Sequence, residues 1–179
     1  MKQIESIEVR TEMAYMHDEY LRRLDVAMEQ KQYVEASWLC YAIFEQRIAR
    51  IMKKHIRRCP RGKRSSNEKP VSITTKTICI KKLCKSEYGP YAQFDKKLME
   101  DIEKWCSERN TLVHGLVSLD HYKRYDAEFK ELAHSGQPLV DRLYEEAKRV
   151  RDWCNDGNSF GKFPEIKCRC KHRCIREED

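Results

Sequence analysis

At 179 residues the chain is long enough for one ordinary domain with a core of its own. Hydrophobic residues make up 40% and charged residues 36%, and only six Gly and five Pro interrupt them, so long solvated helices are expected. No apolar run approaches the roughly 20 residues that cross a bilayer, which excludes a membrane-spanning helix, while a net charge of +7 points toward polyanionic partners or simply a basic solvated surface.

The start, MKQIESIEVR, carries Glu5 and Glu8 and no apolar core, so no secretory signal is expected and the location is read as cytoplasmic. Nine cysteines, an odd number, then read as reduced thiols. Cys40 lies in an apolar helical run and Cys106 beside Trp105, positions that suit small core residues.

The first predicted helix covers residues 8–30, with Met13, Met16, Tyr20, Leu24 and Ala27 at steps of three and four. The second runs over 33–57 and carries Trp38, Leu39, Ile43, Phe44, Ile48, Ile51 and Met52. RRCPRGKRSSNEKP follows as a loop, since it has turn residues and charge without periodicity. Residues 75–84 favour a short helix, although Ile73, Ile78 and Ile80 also tolerate a strand. After the turn Tyr88-Gly89-Pro90 a helix spans 93–114, another spans 119–133, and Ser135-Gly136-Gln137-Pro138 separates it from a last helix ending near Trp153. The expected fold is all-α, a bundle of four to five principal helices. It forms a single domain over 1–154, with its core at 33–153 and a basic loop at 53–70, followed by a basic cysteine-rich tail over 155–179.

The helix over 93–114 has an apolar stripe of Leu98, Ile102, Trp105, Leu112 and Leu116, and Arg109 falls on it. A guanidinium on a core-facing line requires a carboxylate, a phosphate or a subunit boundary. On the second helix, Glu45 interrupts a stripe of Trp38, Tyr41, Ile48 and Met52. The simplest expectation is that Glu45 faces Arg109 and holds its planar fork, as a structural ion pair or as support for a site. His114 lies five residues on, about 140° around the helix and about 7.5 Å along it, on a polar line with Glu103, Ser107 and Asn110. Arg109 and His114 therefore meet at one phosphate only if the helix bends or ends near Gly115, or if a second subunit contributes.

The segment ERNTLVHG resembles the signature of the HEPN superfamily, an all-α group with an Arg-x4–6-His motif in which a polar residue often follows the Arg, as Asn110 does here. EASWLCYAIFEQRIARI is similar to that family's first core helix, whose acidic residue supports the motif, and the resemblance covers residues 33–153. It implies a homodimer whose two motifs share one cleft, and a metal-independent endoribonuclease acting by 2′-hydroxyl transesterification. In that reading His114 moves protons, as an imidazole titrating near neutrality can. Arg109 stabilises charge on the phosphate oxygens, Asn110 orients the phosphate or the imidazole, and Glu45 supports. Family habit adds a toxin or antiphage role with a possible antitoxin protein partner. Two other readings stay open: a non-catalytic HEPN-like module binding RNA, a nucleotide or a protein, and a basic helical interaction protein whose motif match is accidental.

Lys53, Lys54, Arg57, Arg58, Arg61, Lys63 and Arg64 form a run suited to RNA phosphates or to plain solvation. In the tail, Cys168, Cys170, His172 and Cys174 place four soft ligands in seven residues, and Cys154 offers a fifth. A structural zinc is one reading of this segment and a loose thiol-rich tail is the other, because the two-residue knuckle spacing is missing. No cofactor is required for the catalysis inferred.

Overall fold

The hydrophobic periodicities resolve into helices throughout the computed structural model, which describes residues 2–56, 72–85, 89–116 and 122–158. The elements are α1 (Lys2–Glu29), α2 (Tyr33–Ile56), α3 (Ile73–Lys85), a short 3₁₀ turn (Gly89–Gln93), α4 (Lys96–Gly115) and α5 (Tyr122–Asn155). The expected all-α fold of four to five principal helices is what is observed, with no strand among the described residues. No helix among them is long and apolar enough to cross a membrane.

Helix α1 stops without a glycine. Lys31 takes a left-handed φ of 58°, and Gln32 N–H donates back to the Ala27 carbonyl at 2.8 Å while Lys31 N–H donates to Met28 at 3.1 Å. These are the two bonds of a Schellman stop, which satisfies the carbonyls a helix end leaves open. The 75–84 segment is settled as helix. Ile73, Thr77, Ile80 and Cys84 are all buried, at the three- and four-residue steps of one helical face.

The largest departure from expectation is α5. Ser135–Pro138 does not separate two helices, because one helix runs through both Gly136 and Pro138. Pro138 lacks the N–H that would bond the His134 carbonyl, but both residues are exposed and solvent can serve that carbonyl. Gly136 is buried for a packing reason. A Cβ there would lie 2.9 Å from Nε1 of Trp105, whose indole donates to the Leu132 carbonyl at 2.8 Å. A glycine–proline pair that reads as a turn is instead the place where an indole packs onto helix backbone.

The described residues fall into two compact units, one drawn from Met1–Ile43 and Trp105–Val140, the other from Phe44–Lys104 and Asp141–Asp179. In the first, Leu24, Ala27, Cys40, Ile43, Trp105, Phe129, Leu132 and Val140 are buried. In the second the buried set includes Phe44, Ile48, Ile80, Leu83, Tyr91, Leu98, Met99, Ile102 and Leu143. Asp95 organises the start of α4 in the second unit. Its Oδ1 accepts from the backbone N–H groups of Lys97 at 3.0 Å and Leu98 at 3.2 Å, as an N-cap does.

Candidate functional site

Arg109 is the one charged side chain among the buried described residues, 7% exposed, and it continues the buried line of Leu98, Ile102 and Trp105 on α4. It shares the first unit with Trp38, Tyr41 and Asn110. The guanidinium carbon sits 4.0 Å from the ring centre of Trp38 and 4.8 Å from that of Tyr41. These two α2 residues are three apart and so share one helix face. Cation–π attraction of up to about 2 kcal/mol per desolvated contact offsets part of the cost of burying the charge.

The hydrogen bonding of this cation is incomplete. Nη1 donates to the Asn110 side-chain oxygen at 3.2 Å, while Nε and Nη2 are buried with no partner among the described residues. Those two N–H groups form one edge of the guanidinium fork, the edge that matches two oxygens of a carboxylate or phosphate. A buried donor left unmatched costs about 1–3 kcal/mol, which an oxygen ligand on that edge would recover.

Glu45, expected to face Arg109, falls in the other compact unit. Its ion-pair partner is Lys76 on α3, at 3.5 Å, and its side chain is 44% exposed. The reason lies in the phase of α2. The buried face is Ala36, Cys40, Ile43, Phe44, Ile48 and Ile51, whereas Trp38, Tyr41 and Glu45 occupy the flanking, partly open line. Glu45 therefore interrupts no buried stripe.

His114 and Asn110 are exposed, as are Ser107 and Thr111, so the polar line of α4 faces solvent. The helix remains regular through the motif, with Leu116 N–H donating to the Leu112 carbonyl at 3.1 Å. Within one chain, Arg109 is thus buried and His114 open on another face. Asn110 links the two. Its carboxamide holds Arg109, and its position one turn before His114 places both on the exposed line.

Gly115, directly after His114, approaches α5 closely. A Cβ on it would lie 2.8 Å from the Tyr125 hydroxyl oxygen. Nothing in the spacing of Tyr125 marks it in the sequence. Trp38 and Tyr41 were visible as members of a stripe, but their role as the seat of Arg109 was not.

Lys53 and Lys54 lie on α2 near its end at Ile56; Arg57, Arg58, Arg61, Lys63 and Arg64 fall outside the described residues. So do the possible zinc ligands Cys168, Cys170, His172 and Cys174. Among the described residues no group of three or more His, Cys, Asp or Glu is placed to hold a metal ion. Cys154 is a partly exposed free thiol, and Cys40, Cys79, Cys84 and Cys106 are buried free thiols. Burial pushes the Cys84 thiol up to about 11 and raises that of Cys79, the reverse of what a nucleophilic cysteine needs. No family model, no curated protein and no solved structure matches the chain.

Proposed function

We propose that this chain is a metal-independent endoribonuclease that cleaves RNA at Arg109, Asn110 and His114. The observation that carries the proposal is the Arg109 fork: seated against Trp38 and Tyr41, tied at Nη1 to Asn110, and unmatched along its Nε–Nη2 edge among the described residues. A phosphate suits that edge, and a basic chain is suited to attract one. The HEPN resemblance of the same residues supplies the reaction class and the suggested role in toxicity or antiphage defence, with an antitoxin as partner.

In the proposed reaction a base removes the ribose 2′-hydroxyl proton and the 2′-oxygen attacks the adjacent phosphorus. The bond from phosphorus to the 5′-oxygen breaks, and an acid gives that oxygen a proton. The products are a 2′,3′-cyclic phosphate and a 5′-hydroxyl. His114 is the proton carrier, and Arg109 offsets charge building on the non-bridging oxygens. Since Arg109 and His114 occupy different faces of one regular helix, the reading calls for a homodimer in which the second copy's motif completes the cleft. Arg109 reaches the phosphate after a local shift of the partly exposed rings that cover it.

The test is labelled RNA incubated in chelator with wild type, Arg109→Ala and His114→Ala. Each substitution is expected to slow cleavage by at least about 100-fold, and DNA should resist because it lacks the attacking hydroxyl. Cleavage that survives both substitutions removes the proposed site. The burial of Arg109 favours a second reading, a non-catalytic module that binds RNA, a nucleotide or a protein partner. Intact RNA of varied sequence, together with measurable RNA binding, would select it.

A further inference from the structure

Trp38 is 52% exposed although Arg109 lies against its ring. An indole is among the most favourable groups to bury, and this one is left open on α2 one turn after the exposed Val34. With a guanidinium on one face, the rest of the ring presents a flat, apolar, electron-rich surface to solvent. Against its covered face is a cation with donors unmatched among the described residues.

We infer that Trp38 is a stacking platform for one unpaired base of single-stranded RNA, positioning that nucleotide beside Arg109. This rests on the ribonucleic acid reading of the Arg109 site and names what that site reads. An apolar face on a second copy of the chain would cover the indole but leave the guanidinium edge unmatched. A nucleotide brings a flat ring and a phosphate on one frame, so it answers both features together. Base–aromatic stacking tolerates any base, because every base has a π-face, and the resulting preference is for unpaired over paired RNA. Trp38 is a positioning residue in this scheme, since the chemistry stays with Arg109 and His114.

The experiment measures binding of a short single-stranded RNA carrying 2′-O-methyl riboses, which cannot undergo 2′-hydroxyl attack. Binding is therefore read apart from cleavage. Trp38→Leu, which keeps an apolar cover over Arg109 but has no π-face, is expected to weaken binding on the order of 10-fold, within a range of about 5- to 150-fold. Trp38→Phe should keep most of the affinity. An oligonucleotide series with a single abasic site should show one position whose loss weakens wild type but not Trp38→Leu. A free mononucleotide run in parallel should bind far more weakly than the oligonucleotide.

Equal binding by wild type and Trp38→Leu overturns the inference. So does a Trp38→Leu deficit that persists at every abasic position, or a mononucleotide binding as tightly as the oligonucleotide. If Trp38→Leu loses affinity only because a dimer of wild-type mass has become a monomer, the ring is a contact between copies and the inference also fails. Trp38-dependent binding without any cleavage of ordinary RNA leaves the platform standing and removes the ribonuclease. Cleavage that is indifferent to Trp38 does the reverse.

Discussion

Arg142 and Arg109 carry the same group in opposite circumstances. Arg142, in the second unit, is partly exposed, and its two terminal nitrogens meet Asp95 at 2.7 Å and Asp101 at 3.0 Å. Arg109, in the first, is almost fully buried, lies against two aromatic rings, and among the described residues hydrogen-bonds to the Asn110 carboxamide alone. The first arrangement matches donors to acceptors and tethers the start of α4 to α5. The second buries a charge with no carboxylate partner among the described residues, an arrangement that an apolar side chain of similar volume often matches or exceeds in stability.

The largest effect expected from this contrast is at Arg109→Met, which keeps the volume under Trp38 and removes the charge. Stability in urea should hold or rise, because unmatched buried donors disappear. Cleavage should fall by at least about 100-fold. A clear loss of stability with little loss of cleavage would make Arg109 a structural residue like Arg142.

Arg142→Met should behave in the opposite sense, with a smaller magnitude. The pair is 38–40% exposed at Arg142 and Asp95, so the stability lost is about 1 kcal/mol or less. Cleavage should change little. The loss should also depend on pH. The Arg142 hydrogen bond, with the backbone N–H groups of Leu98 and Lys97, holds the Asp95 carboxyl below its usual range. A depressed carboxyl contributes stability that is complete above the ordinary Asp value, about 3.9, and is lost as pH falls through the lower, folded-state value. Urea titrations of both proteins should therefore converge as the medium is acidified below about pH 4. A gap that stays constant in acid would show that Arg142 acts by packing.

What was legible in the sequence, and what was not, follows the same division. Arg109 on a buried line and His114 on an exposed one could be read directly, because both follow from helical periodicity within a single element. The seat of Arg109 could not. Whether Trp38, Tyr41 or Glu45 faces it depends on the rotation of α2, and apolar residues on that helix are abundant enough to support more than one phase. The continuity of α5 was hidden for a related reason. Gly136 and Pro138 are helix breakers by local preference, and only the approach of Trp105 explains why a glycine is needed inside the helix. Local rules located the motif, while its partners were set by contacts between helices.

The smallest effect, and the one that sharpens the comparison most economically, is at Glu45. Its bond to Lys76 is long and its side chain nearly half exposed, so Glu45→Ala should cost no more than about 0.5 kcal/mol of stability. If Arg109 is held by rings and by Asn110, removing this carboxylate should change cleavage by far less than Arg109→Met does. Were Glu45 instead to swing onto the guanidinium in the working state, the two variants would lose activity to similar extents, and a double variant would lose little more than either alone. That result would give Arg109 the carboxylate that Arg142 already has and erase the difference between them. Independent effects of very unequal size keep the difference.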